Sequence, residues 1–239
     1  MHDDASPFFI SPHRFDADDD VAPALDRRNE FVVEAGEHVL AQRRLLASGH
    51  LLGPTEARRQ WTLPEPVTVT VTDRRIAYVG GGPQLCLVGA SEGARHRRGV
   101  RLPGLVTGQI RWQWPSRLEL LTTGPAEPAR LLVVCDALRT IQQPALGFCG
   151  AVEEILELTR RVRRAVATFR LTHPELVELS PPERDVLAVR ASPAPGAGAN
   201  RITLPGSLPV EFRSRDDYYR RGSFDRWPGP AAGAASGRH

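Results

Sequence analysis

The 239-residue chain contains no lysine: all 31 of its basic side chains are arginine. Arginine, alanine, glycine and proline share GC-rich codons, so genome composition accounts for the bias without any role in nucleic-acid binding. Cysteine is scarce. Cys86, Cys135 and Cys149 are an odd set with no C-x-x-C pair, which excludes a disulfide framework and a zinc ribbon. Cys135 ends the run Leu131-Leu-Val-Val-Cys135, where a thiol acts as a small apolar side chain. No apolar stretch approaches the about eighteen residues needed to span a bilayer. The first residues, Met1-His2-Asp3-Asp4, are acidic where a secretory signal is basic. The expectation is a cytoplasmic, soluble protein of one domain with extensions, with an ordinary 41% hydrophobic and 25% charged residues.

The motifs of common chemistries are also missing. No Walker A, G-x-G-x-x-G or H-E-x-x-H pattern occurs, and the seven histidines never fall at paired ligand spacing. Asp16, Asp18 and Asp20 imitate the start of an EF-hand loop. Val21 then stands where its glycine belongs and Arg27 where its closing glutamate belongs, so calcium is excluded. Gly89-Ala-Ser91-Glu-Gly93 matches the nucleophile elbow of serine hydrolases, and Asp136 and His173 follow in the right order. That motif needs a strand-to-helix turn, and Ala94-Arg-His-Arg-Arg98 is no helix start. A glycine-rich loop is the better reading; a hydrolase using Ser91 is the weakest alternative. No enzyme activity, metal or cofactor is expected.

Charge divides the chain. Residues 1–34 hold nine acids against three Arg, a balance of −6, and the remainder sums to +9. Residues 1–35 read as an acidic disordered tail. Residues 36–172 read as the folded domain, 173–199 as a short helix and an Ala/Pro/Gly linker, and 200–239 as a mostly disordered tail. Within the domain a strand is expected near 37–47, followed by a polar loop over 48–60. Val67-Thr-Val-Thr-Val-Thr72 alternates at period two and pairs through Asp73-Arg74 with Arg75–Val79 as a hairpin. Residues 84–103 read as a long connection. Ile110, Trp112 and Trp114 share one parity of a further strand, and Pro115-Ser116 turns the chain into 117–122. Another strand follows over 130–135. Residues 151–171 place Val152, Ile155, Leu156, Val162, Val166 and Phe169 on one helical face. Ser180, Pro181 and Glu183 form the start of a second helix, with a capping box. Ile202–Leu204 or Leu208–Phe212 suits an edge strand. The fold class is mainly β with α: an antiparallel barrel or sandwich capped by a C-terminal amphipathic helix.

The stretch Thr70-Val-Thr-Asp-Arg-Arg-Ile-Ala-Tyr78 resembles the strand–turn–strand of bacterial pleckstrin-homology (PH) and GRAM-like domains. Gly36-Glu37 before the first strand, Gln109-Ile110 with Trp112, and the closing helix 151–171 are similar too. The resemblance covers roughly residues 36–172 and implies a PH-like barrel. Phosphoinositide-binding members carry basic residues on their first two strands. Here 67–72 has none and the first strand only Arg43 and Arg44, and no Trp lies in 151–171. The resemblance therefore implies a non-catalytic binding or adaptor module for a protein partner.

Candidate contact residues follow from charge and aromatic content. Arg95, His96, Arg97, Arg98 and Arg101 form an acid-free loop over 93–101, which Arg58 and Arg59 extend if they share its end of the barrel. Such a patch suits an acidic partner segment or anionic lipid head groups at a membrane surface. Trp112 and Trp114 beside Arg111 suggest base stacking, but same-parity tryptophans read better as core, and nucleic acid is the less favoured partner. Arg160, Arg161, Arg163 and Arg164 make a basic helix face. Tyr218, Tyr219, Phe224 and Trp227 mix with charge in the last forty residues, as in segments that fold on a partner.

Overall fold

The computed structural model describes residues 23–53, 57–80, 84–88, 98–102, 105–122, 124, 127–137, 143–192 and 200–210, with the backbone alone at 57–61, 84–88 and 98–102. The strands are β1 (Val39–Leu52), β2 (Ala57–Thr62), β3 (Val67–Thr72), β4 (Arg75–Gly80), β5 (Gln84–Val88) and β6 (Arg98–Leu102). They continue with β7 (Val106–Arg111), β8 (Pro115–Leu121), β9 (Ala129–Cys135) and β10 (Gln143–Gly150). Helices α1 (Val152–Thr172) and α2 (Pro181–Ala191) come next, then a short β11 (Arg201–Thr203). The protein is a mainly antiparallel β-sheet structure with two helices, and the sheet does not close into a barrel.

One long strand organises it. The first half of β1 pairs with β3, from Val39 opposite Thr72 to Leu45 opposite Val67. Its second half pairs with β10 on one side and β2 on the other. β1 thus belongs to two sheets, β1-β3-β4-β7 and β11-β8-β9-β10-β1-β2-β5-β6, and passes from one to the other between Leu45 and Ser48. The opposite corner is open, because β7 and β8 do not pair. Trp112 and Trp114, with 0% and 1% of their surface exposed, fill that corner. The Trp112 indole N–H donates to Thr72 O at 2.9 Å.

The period-two valines behave as expected: Val67, Val69 and Val71 are buried in the main core with both tryptophans, Leu131, Val133 and Phe148. α1 lays Ile155, Leu158, Val162, Ala165, Val166 and Phe169 on this core. Leu156 is instead exposed, because the 155/158/162 line faces the sheet and position 156 is rotated about 100° from 155. α2 packs on α1 through Leu187, Val177, Leu179 and Ala167. Its expected capping box is present: the Glu183 carboxylate accepts the Ser180 backbone N–H at 2.9 Å and the hydroxyl at 2.6 Å. Those bonds hold the Glu183 carboxyl below its usual range.

Other expectations are corrected. The polar loop over 48–60 is largely strand, because β1 runs on to Leu52 and β2 begins at Ala57. The connection over 84–103 contains the paired strands β5 and β6, joined residue for residue from Gln84 opposite Leu102 to Val88 opposite Arg98. The strand carrying Ile110 ends at Arg111, and the two tryptophans turn the corner instead of continuing the alternation. β10 has no counterpart among the expected strands: Pro144, Gly147 and Gly150 interrupt its pattern. Residues 23–35 form a small turn on the sheet, with Leu25 bridged to Phe31. The edge strand expected at Ile202–Leu204 is present as β11.

Close packing leaves little tolerance at Gly108 in β7, where a Cβ would lie 2.5 Å from the Tyr78 ring. Tyr78 is buried. Gly108→Ala is expected to cost about 1–3 kcal/mol, seen as a lower urea midpoint at unchanged slope.

Candidate partner-binding site

β8 is an edge strand until residues 200–210 reach it. Arg201, Ile202 and Thr203 lie opposite Glu119, Leu118 and Arg117. The main-chain bonds extend both ways: Leu120 N–H to Asn200 O at 2.7 Å, Leu204 N–H to Ser116 O and Leu208 N–H to Gln113 O at 2.8 Å. Val210 N–H then reaches Asp136 O at 2.8 Å. Ile202, Leu204 and Val210 turn into the main core. The segment is therefore a strand added to a sheet edge, anchored by alternate apolar side chains.

The end of α1 secures it. Arg170 is fully buried, with 0% exposure. Its Nε donates to Trp112 O at 3.0 Å and Nη2 to Pro115 O at 2.6 Å. Nη1 donates to Leu204 O at 2.7 Å and Pro205 O at 2.5 Å. One planar guanidinium thus holds the corner turn and the added strand together. Burial pulls its pKa down to about 9, so it remains charged at neutral pH. Burial pushes the neighbouring Cys135 thiol up to about 12, which makes it a core side chain and no nucleophile. Sequence reasoning passed over Arg170 because nothing local separates it from thirty other arginines.

Beside the added strand lies a cavity of about 580 Å³, bordered by Arg117, Asp136, Gln143, Glu178 and Ser207. Gln143 donates to Asp136 at 2.6 Å and Arg117 to Glu119 at 2.6 Å, so its walls are paired polar groups. Gly206 makes the turn at the end of the strand with φ +74°, directly against Leu179. A side chain there is strained twice, by backbone and by contact. Gly206→Ala is expected to cost about 2 kcal/mol and to speed amide exchange across 201–208 more than across β9.

A second set of buried charges ties residues 34–37 to the sheet. Arg75 donates from Nε to Glu37 Oε1 at 2.9 Å and from Nη2 to Oε2 at 2.7 Å. Its Nη1 donates to Gln109 Oε1 at 2.7 Å and pairs with Glu34 at 3.1 Å. Glu37 also accepts the Thr72 hydroxyl at 2.6 Å and the Glu34 N–H at 2.7 Å. Burial alone would raise the Glu37 carboxyl, but these donors outweigh it and hold it below the usual range. Glu34 is lowered likewise, its burial outweighed by Arg111 and Arg75.

The residues singled out from sequence are dispersed. Arg58 and Arg59 lie on β2, and Arg98 and Arg101 on β6, in a strand where a loop was expected; arginine on an edge strand discourages further pairing. Trp61 stands opposite Val88, and Val88 opposite Arg98, so Arg58–Arg59 and the first residue of β6 lie toward one end of the sheet. Ser91, Arg95, His96, Arg97, Tyr218, Tyr219, Phe224 and Trp227 lie outside the described residues. Arg111 is paired with Glu34, and the tryptophans beside it are core. On α1, Glu157 binds Arg160 at 2.6 Å and Arg161 at 2.7 Å. Arg163 is buried, its pKa lowered by that burial and then by Arg190 and Arg160.

The structure does contain a Ser–His contact, Ser48 Oγ to His50 Nε2 at 2.9 Å. Both residues are buried against Gly147, where even a Cβ would come 2.7 Å from the serine oxygen. The pair is buried on a sheet face, with Ser48 7% and His50 4% exposed. Among the described residues no helix is long and apolar enough to cross a membrane. Fold and site define a mainly antiparallel β protein with an edge that takes up an extended segment. Comparison with protein-family models and with curated proteins finds no match.

Proposed function

We propose that this chain is a PH-like binding module that recognises a protein partner and performs no chemistry of its own. The strand order carries the reading. With β2, β5, β6 and β11 set aside as additions, seven strands run β1, β3, β4, β7 and then β8, β9, β10, and β10 returns to β1. α1 follows β10 at once and covers the open side. Two antiparallel sheets sharing a strand and plugged by a C-terminal helix is the arrangement that the PH resemblance implies. Fold alone does not fix function; β8 holds the chain's own residues 200–210 by main-chain bonds and alternate apolar anchors, and a partner segment adds to the sheet in the same way along the outer side of β11.

Affinity capture on the immobilised full chain, followed by titration calorimetry with the purified captured protein, tests this. A saturable binary complex with the purified partner is the expected result. Absence of any binary protein complex, together with a duplex-DNA shift that collapses between about 50 and 200 mM salt, would replace it with nucleic-acid binding.

The shared end of Arg58, Arg59 and Arg98 favours one second reading, attachment to an anionic membrane. Co-sedimentation with phosphatidylserine vesicles, lost on changing Arg58, Arg59, Arg95, Arg97, Arg98 and Arg101 to Ala, is its expected signature. Sedimentation unaffected by those changes removes it.

A further inference from the structure

A groove of about 440 Å³ runs between α1 and the first residues of β1, bordered by Leu40, Arg161, Arg164, Phe169, Thr172 and His173. Phe169 and His173 stack at 4.3 Å along it. Leu40 on its border belongs to a stretch of the chain that exposes several aliphatic side chains. Val39 is 53% exposed, Leu40 40%, and Val32 and Val33 39% each. These four fall within nine residues, on either side of the tight turn closed by the Glu37 N–H to Glu34 O bond of 3.0 Å. Aliphatic side chains exposed singly need no explanation, but a cluster marks a contact surface.

The charges around the groove leave a positive remainder. Asp73 on its border is bound to His38 through the backbone N–H at 2.9 Å and the ring at 3.1 Å. Glu34 is taken up by Arg111, Arg75 and Arg74. Arg161 shares Glu157 with Arg160 and caps Leu40 O at 2.8 Å. Arg164 is exposed and has no partner among the described residues. An acidic, partly apolar segment fits such a groove.

We propose that the chain's own segment Phe15-Asp-Ala-Asp-Asp-Asp-Val21 docks there, its aspartates against Arg161 and Arg164 and its two apolar ends on Val33, Val39 and Leu40. Position supports this occupant. Val32 N–H donates to Ala24 O at 2.9 Å, so the described chain begins at Pro23 beside Val33, at the margin of the apolar cluster. Reach supports it too, since seven extended residues span about 23 Å while the two helical turns from Arg161 to Thr168 span about 11 Å. Charge supports it a third time: four of the five residues 16–20 are Asp. Individual exposed ion pairs contribute little, but a tethered segment binds at millimolar effective concentration. Docking of this kind keeps the groove covered in cis, and a foreign acidic segment has to compete for it. The inference is independent of the β8 edge.

Hydrogen exchange by mass spectrometry on the full chain tests it. Four proteins are compared: wild type, D16N/D18N/D19N/D20N, R161Q/R164Q, and the combination. Amides 16–22 of the wild type are expected to exchange about threefold or more slowly than an unstructured peptide, the protection that one or two exposed ion pairs supply. Either set of substitutions should remove that protection, the combination should remove no more, and about 0.5 M salt should mimic both. Amides of α1 keep their wild-type rates in every variant, which separates loss of docking from loss of fold. Unprotected 16–22 in the wild type overturns the proposal, as does protection that survives R161Q/R164Q. Protection that appears only as protein concentration rises, with a dimer in light scattering, assigns the groove to a second copy and overturns it as well.

Discussion

Arg170→Met should destabilise the chain by about 4 kcal/mol and free residues 200–210 from β8. The replacement has similar length and is apolar, so it fills the space and offers no donors. Three buried carbonyls, of Trp112, Pro115 and Leu204, and the half-buried one of Pro205 then lose their partner. A buried acceptor left unsatisfied costs about 1–3 kcal/mol, and relief of the arginine's own desolvation offsets part of the total. Arg170→Lys should lose about half as much, because a single ammonium cannot match the planar fork that reaches four oxygens. Urea unfolding measures the loss, and hydrogen exchange locates it: amides 201–208 should exchange freely while β3 and β4 stay protected. A variant within about 1 kcal/mol of wild type would mean that ordered water replaces the guanidinium and that Arg170 is no clamp.

Glu37→Ala should cost about 3–5 kcal/mol, the usual result of leaving one member of a buried pair uncompensated. Arg75 would keep Gln109 and the half-exposed Glu34, but would lose both bonds of its bidentate partner. Changing Glu37 and Arg75 together to Met should recover most of the loss, since the cost lies in the stranded charge. Glu37 and Glu34 also contribute to the acid limit of the fold. Both Glu37 and Glu34 have folded pKa values below the unfolded value of 4.5. A depressed carboxyl contributes stability that is fully present above the unfolded pKa and is lost as pH falls through the folded one. The urea midpoint should therefore hold down to about pH 5 and then fall steeply. In an E34Q/E37Q variant, the fall below pH 4.5 should be much shallower; an equally steep one would place the acid sensitivity elsewhere.

How much of this was legible beforehand depends on the range of the interaction. The buried valines of Val67–Thr72, the face of α1 apart from Leu156, and the Ser180–Glu183 cap are local patterns, and each stands where its residues indicate. β10 was not legible, because Gln143-Pro-Ala-Leu-Gly-Phe-Cys-Gly150 lacks the alternation that marks a strand with one wet face. It lies between β1 and β9, and pairing on both sides supplies what its residues do not advertise. Arg98 and Arg101 read as loop for the opposite reason: charge suggested solvent, while an edge strand tolerates charge well. The candidate site suffered most. Its parts come from 112–118, 170 and 200–210, stretches far apart in the chain, and nothing in Arg170 itself announces four carbonyls.

Composition and short-range pattern by themselves determined a mainly β chain with an amphipathic helix near residue 160 and a charge-divided sequence, because propensity, periodicity and capping act over a few residues. Which arginines are buried, how β1 divides itself between two sheets, and that the edge strand near Ile202 pairs with β8 were decided only in three dimensions. Those outcomes depend on desolvation and on main-chain partners hundreds of atoms apart, which exist only once the sheets have met.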